Sequence, residues 1–160
     1  MPLTLYSPAF GDHGEIPAAF TCDGMNGAPP IGWSGAPPHT ASFALIVDDP
    51  DAPDPAAPKR TFVHWVLHDI PGSISELPEG AGGAGLPDGA REGRNDAGGT
   101  GYTGPCPPIG RHRYFFKLHA LDVVFGDLGA AVTKADLERA MAGHVLERAE
   151  LVGTYARVGR

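Results

Sequence analysis

The run Thr61-Phe62-Val63-His64-Trp65-Val66-Leu67-His68 decides the fold class. It is dense in β-branched and aromatic residues and ends before Pro71-Gly72, so it reads as a strand. Ser42-Phe43-Ala44-Leu45-Ile46-Val47 is a second short apolar run, stopped by Asp48-Asp49-Pro50. Arg113-Tyr114-Phe115-Phe116-Lys117-Leu118-His119-Ala120-Leu121 carries aromatics on both faces, which predicts a strand lying between layers. The tail from Val145 to Val158, through Leu151-Val152-Gly153-Thr154-Tyr155, reads as a final strand. One helix is signalled. Thr133 and Asp136 form a Thr-x-x-Asp capping box, Leu137, Ala140 and Met141 follow at helical spacing, and Gly143 is a stop. This balance predicts a mainly β fold of two packed sheets.

The chain of 160 residues is the size of one domain, and no internal repeat or boundary divides residues 1–160. Gly (23) and Pro (17) together make a quarter of it, which favours turns over long helices. Pro50 to Pro58 and Gly80 to Gly104 read as loops, and a glycine-rich loop as long as the second points to function or mobility. The formal net charge of −7 argues against a duplex nucleic-acid partner and against an anionic membrane surface. It leaves room for a small anion held by local dipoles and a few cations. No apolar run is long enough to span a bilayer, and the start Met1-Pro2-Leu3-Thr4-Leu5-Tyr6 has no signal-peptide character, so the expected location is cytoplasmic. Two cysteines, Cys22 and Cys106, do not make a disulfide scaffold, and their spacing leaves open whether they pair.

Two segments carry chemistry. In Asp48-Asp49-Pro50-Asp51-Ala52-Pro53, prolines stiffen the chain around carboxylates. Asp49 and Asp51 stand two apart, so in extended backbone they point the same way. His64 lies in the apolar run that follows, where an imidazole needs a partner. An Asp-Pro turn beside a satisfied core histidine is the competing reading. The second segment is Gly101-Tyr102-Thr103-Gly104-Pro105-Cys106-Pro107-Pro108-Ile109-Gly110-Arg111-His112-Arg113-Tyr114. Glycine lets backbone N–H groups approach a ligand, and His112 and Tyr114 share a strand face. A rigid loop entering an ordinary strand is the alternative here.

Together these segments resemble the phosphatidylethanolamine-binding protein family, closest to its bacterial, Raf-kinase-inhibitor-like branch. The matching residues are Asp49-Pro50-Asp51-Ala52-Pro53, Phe62-Val63-His64-Trp65 and the Gly101 to Tyr114 segment. Phe20-Thr21-Cys22-Asp23-Gly24, Ala120-Leu121-Asp122 and Leu151 to Tyr155 extend the match over nearly the whole chain. The resemblance implies a large antiparallel sheet packed on a smaller one, with a few short helices. It also implies a pocket for phosphate-like anions at Asp49, Asp51, His64, Gly104, Pro105, His112 and Tyr114. A protein partner and a homodimer are further expectations from it. Three departures stand out. Ala28 replaces a serine common in bacterial members, Val63 replaces a second histidine of the eukaryotic branch, and the chain reaches Arg160 soon after its last strand. The kinase and membrane roles of eukaryotic members are therefore not carried over.

Two carboxylates beside an anion need compensation. The expectation is that the aspartates keep His64 and His112 charged and aimed, with N–H groups near Gly104 and the Tyr114 hydroxyl adding donors. Anion affinity would then fall as pH rises. General acid–base catalysis in the same pocket, and regulation of a protease or kinase through the surface, are the alternatives. No catalytic residue is assigned. No cofactor is expected, since there is no Walker A loop, dinucleotide fingerprint or Gly-x-Ser-x-Gly elbow. A metal at Asp49, Asp51, His64 and His112 is disfavoured, and Cys106 between two prolines lacks an activating setting. His13 and His39 read as solvated, His68 and His119 as sheet packing, and His144 as a helix-end cation. Lys134 to Arg148 reads as a solvated face.

Overall fold

The computed structural model describes residues 2–82, 85–129 and 131–157. In chain order the elements are β1 (Thr4–Tyr6), β2 (Gly14–Glu15), a 3-10 turn (Ala18–Phe20), β3 (Ile31–Ser34), β4 (Ser42–Ala52), β5 (Arg60–Pro71), β6 (Glu76–Leu77), β7 (Arg91–Glu92), β8 (His112–Leu121), α1 (Lys134–Met141) and β9 (Val145–Tyr155). Six strands form a large sheet in the order β2-β9-β8-β4-β5-β7, and three form a small one, β1-β3-β6. Pairing is antiparallel throughout, apart from the short β2 edge, which runs parallel to β9. The fold is mainly β, as the sequence leads one to expect.

Strand β4 shows why its sequence is almost continuously apolar. Phe43, Leu45 and Val47 belong to the core between the sheets, with Trp33, Trp65, Phe116 and Leu118. Ala44 and Ile46 face the other way and pack with Val66, Leu121, Leu137 and Met141. A strand covered on both faces has no position for a solvated side chain. Helix α1 supplies part of the outer cover, with Leu137 and Met141 buried. Its capping box at Thr133 and Asp136 is formed, and Gly143 takes a positive φ of 82° just beyond its end.

Several expectations need correction. Strand β4 does not stop at Asp48 but continues through Asp49-Pro50-Asp51 to Ala52. Proline is tolerated because the β4–β5 register shifts between Asp49 and Ala52, and the β4–β8 pairing ends at Asp48. No ladder N–H is demanded at Pro50. Gly80 to Gly104 is not one loop, since it contains β7, which pairs with Leu67 and His68, and a bridge between Arg94 and Thr100. Gly83 and Ala84 in that stretch, and the Val158 and Arg160 positions of the tail, lie outside the described residues. Lys134 is not simply solvated. Its ammonium lies 2.7 Å from the buried carboxylate of Asp48, which Lys117 also reaches at 3.1 Å.

Cys22 and Cys106 form a disulfide. It joins the segment after the 3-10 turn to the 102–108 loop, alongside a hydrogen bond from the Cys22 N–H to the Pro105 carbonyl (3.1 Å). Among the described residues no helix is long and apolar enough to cross a membrane.

Candidate ligand-binding site

Strands β8, β4 and β5 are neighbours in the large sheet. Asp49 on β4, His64 on β5, and His112 and Tyr114 on β8 therefore converge. The 102–108 loop closes the space above them, and the result is a cavity of about 340 Å³. Its polar end is made by Asp49, His64, His112 and Tyr114, and its apolar side by Pro53, Phe62, Pro107 and Pro108. A larger open groove of about 670 Å³ lies at the start of α1 and contains none of the expected site residues.

Asp49 is fully engaged. Its Oδ1 accepts the Asp51 N–H (2.7 Å), and its Oδ2 lies 2.6 Å from Nδ1 of His112. The other ring nitrogen of His112 lies 2.8 Å from the Ile109 carbonyl and 3.1 Å from the Pro53 carbonyl. Both ring nitrogens thus face protein acceptors. His112 therefore has no free donor for a ligand.

His64 is arranged differently. Its Nδ1 lies 2.7 Å from the Thr103 carbonyl. A carbonyl only accepts, so the neutral ring carries its proton on Nδ1 and presents the Nε2 lone pair to the cavity. Among the described residues no carboxylate touches this ring. Burial holds its pKa below the usual histidine value, opposed by the Thr103 hydrogen bond and by the charges of Asp49, Asp48 and Asp96. The expectation that both imidazoles are kept charged by aspartates therefore fails at His64, because desolvation outweighs carboxylates that stand off the ring.

Tyr114 is buried, with its ring edge-on to His64 at 5.2 Å between centroids and stacked on His112 at 6.3 Å. Burial pushes its phenol far up, so it stays a neutral donor. Among the described residues its hydroxyl makes no hydrogen bond.

The other expected residues are placed less directly. Asp51 turns out of the cavity and binds Arg113 through its N–H (2.9 Å), Nε (3.0 Å) and Nη2 (2.8 Å). That guanidinium holds the Asp51 carboxyl below the ordinary carboxylate range. Asp49 and Asp51 do not point together, because the register shift after Asp49 breaks the alternation. Gly104 lines the cavity, but its N–H is taken by Asn26 Oδ1 at 2.9 Å. Glycine is required there for space: a Cβ would stand 2.4 Å from the Phe20 carbonyl oxygen and 2.3 Å from Asn26 Oδ1. Pro105 is not in the cavity wall, and its carbonyl serves Cys22.

Arg60, Phe62 and Thr103 also line the cavity and were not among the expected site residues. Arg60 and Phe62 could have been found by counting back in twos from His64 along the strand. The stack is real: the Arg60 guanidinium lies over the Phe62 ring at 5.1 Å, and that ring is 4.8 Å from His64. Nothing in the sequence marks the Thr103 carbonyl. Among the described residues no three His, Cys, Asp or Glu side chains gather as a metal would need.

A family model described as phosphatidylethanolamine-binding protein matches residues 6–156. A protein of Methanothermobacter thermautotrophicus, named UPF0098 protein, is 49% identical over 156 residues, covering 97% of this chain and 99% of its own. A UPF0098 protein of Aquifex aeolicus is 43% identical over 157 residues, covering 97% of this chain and 89% of its own. The crystal structure of a Chlamydia trachomatis homolog of phosphatidylethanolamine-binding proteins superposes with a TM-score of 0.88 at 40% identity, covering 98% of both chains. E. coli YbcL, described as a member of the mammalian family, gives a TM-score of 0.88 at 32% identity, covering 98% of this chain and 99% of its own.

Proposed function

Since this chain belongs to the phosphatidylethanolamine-binding protein family, we propose that its cavity between β4, β5, β8 and the 102–108 loop binds a small oxyanionic group. One observation carries this reading. Tyr114 and His64 line the same cavity, the Tyr114 hydroxyl and His64 Nε2 make no hydrogen bond among the described residues, and the adjacent Asp49 and His112 are hydrogen-bonded to each other. An oxyanion there gains a phenol donor, and both oxygens of the neighbouring Asp49 carboxylate already accept hydrogen bonds, from the Asp51 N–H and from His112. Arg60 also lines the cavity, with its guanidinium 3.5 Å from the Asp96 carboxylate.

Calorimetric titration of the full chain with inorganic phosphate tests the reading. Tyr114→Phe removes one donor and should weaken binding by roughly 0.5–1.5 kcal/mol, about two- to tenfold. Unchanged affinity in that variant, or no phosphate binding by the wild type, would overturn it.

The tautomer of His64 favours a second reading, in which Nε2 is a general base oriented by the Thr103 carbonyl. Turnover of a small substrate that disappears in His64→Ala would support it. The disulfide fits an oxidising compartment better than a mesophile's cytoplasm, although cytoplasmic proteins of hyperthermophiles also carry such bonds.

A further inference from the structure

Most polar groups around the cavity are already committed. Asp49 and His112 bind each other, and the second nitrogen of His112 faces two carbonyls. The Gly104 N–H goes to Asn26, and the Thr103 N–H goes to the His64 carbonyl at 3.0 Å. Among Asp49, His64, His112 and Tyr114 this leaves two side-chain atoms for a ligand, the Tyr114 hydroxyl and His64 Nε2, while the Arg60 guanidinium on the same wall is shared with Asp96. They are not equivalent. The hydroxyl donates, whereas the Thr103 carbonyl keeps the proton of a neutral His64 on Nδ1 and makes Nε2 an acceptor. A bare oxyanion oxygen meets the Nε2 lone pair with repulsion. An oxygen that carries hydrogen donates to it.

Resting on the oxyanion reading above, we propose that the cavity takes oxyanions in a hydrogen-bearing form, with hydrogen phosphate as the type. Its P–OH donates to His64 Nε2, and one of its unprotonated oxygens accepts from Tyr114. A hydrogen-free oxyanion such as sulfate binds once His64 has taken a proton from solvent, so that Nε2 becomes a donor. His64 is then the residue that decides between the two classes of anion, and Thr103 is its positioning residue.

The surroundings of His64 support this. Asp49 faces it from β4 within the cavity, Asp48 is on the opposite face of that strand, and Asp96 lies beyond the end of β7. All three favour a charged ring. Each is engaged elsewhere: Asp49 with His112, Asp48 with Lys117 and Lys134, and Asp96 with the Val63 N–H and Arg60. Tyr114 from β8 and Phe62 from β5 fill the space around the ring. Burial prevails over these charges, and the ring is held toward its neutral form.

The experiment is a calorimetric comparison of phosphate and sulfate binding to the full chain. It runs between about pH 7.5 and 9, above the range where an ordinary histidine changes charge, in buffers of different ionisation enthalpy. Hydrogen phosphate keeps its proton throughout that window. Sulfate affinity should fall about tenfold per pH unit with one proton taken up, whereas phosphate affinity should stay within about twofold and take up none. His64→Gln, whose amide can turn an N–H toward the cavity, should abolish the sulfate slope. Equal slopes for the two anions, or no slope for either, would overturn the proposal in the wild-type protein alone. Phosphate binding with no measurable sulfate binding supports it. If neither anion binds between about pH 5 and 9, the oxyanion reading fails first and this inference with it.

Discussion

The carboxylate of Asp49 lies 2.6 Å from Nδ1 of His112, and both side chains are buried. The far nitrogen of His112 faces the carbonyls of Ile109 and Pro53, so the ring ties β8 to the β4 end and to the loop before β8. This pair forms one wall of the cavity, and its first consequence is for stability.

His112→Ala should destabilise the fold by about 3–5 kcal/mol, because it leaves the Asp49 carboxylate buried without its ring partner. The double variant Asp49→Ala/His112→Ala should cost less than the sum of the single changes. Urea unfolding of the four proteins measures this. Additive costs would show that the two groups do not act as a pair.

Gly104→Ala should lower the melting temperature markedly. The added methyl would stand 2.4 Å from the Phe20 carbonyl oxygen and 3.0 Å from the Thr21 Cα, both of which are backbone atoms that cannot swing away as a side chain can. Gly98→Ala is the contrast. Gly98 has a positive φ of 92° but open space around its Cβ position, so its cost should be limited to backbone strain of roughly 1 kcal/mol. Equal melting temperatures for wild type and Gly104→Ala would contradict the close approach.

Reduction of the Cys22–Cys106 bond should cost about 2–5 kcal/mol, since it closes a long loop between positions 84 residues apart. Thermal melts with and without a dithiol reductant read this. The wild-type transition should drop, and that of Cys22→Ser/Cys106→Ser should start low and not respond. A wild-type melt indifferent to the reductant, with reduction verified by thiol titration, would show that the bond adds nothing.

Stability should fall as the pH drops below the ordinary histidine range. His64, His68 and His119 are all held below their usual pKa, in each case chiefly by burial. An unfolded chain takes up protons at these rings near pH 6.5, while the folded chain resists until lower pH. The unfolded state therefore binds more protons in that interval, and stability rises with pH across it. The contribution is fully present above about pH 6.5 and is lost as pH falls through the folded values. Asp51, lowered mainly by its Arg113 hydrogen bond, acts in the same direction at more acidic pH. Urea midpoints between about pH 8 and 5 should decline, and His119→Gln should reduce the decline. A flat profile would contradict the neutral buried rings.

Much of the site was legible because its residues occur in short motifs. Asp49, His64, Gly104, His112 and Tyr114 all line the cavity. Their roles were not legible. His112 looks like a ligand donor in sequence, yet both its nitrogens are occupied by protein. His64 looks like a paired cation, yet its partner is the carbonyl of Thr103, thirty-nine positions away. Asp51 matches the motif as well as Asp49 does, and a register shift in β4 sends it to Arg113 instead.

By itself the sequence determined the long strands β4, β5, β8 and β9 and the capped start of α1. β-branched and aromatic runs, and a Thr-x-x-Asp box, act over a few residues and need no distant partner. Tertiary structure decided the two- to four-residue strands β1, β2, β3, β6 and β7, the Cys22–Cys106 pairing and the direction of Asp51. It also decided which of the two cavity histidines keeps a nitrogen for a ligand. Those outcomes depend on desolvation and on which distant groups meet, and both come into being when the two sheets and the loop from Tyr102 to Pro108 close over one another.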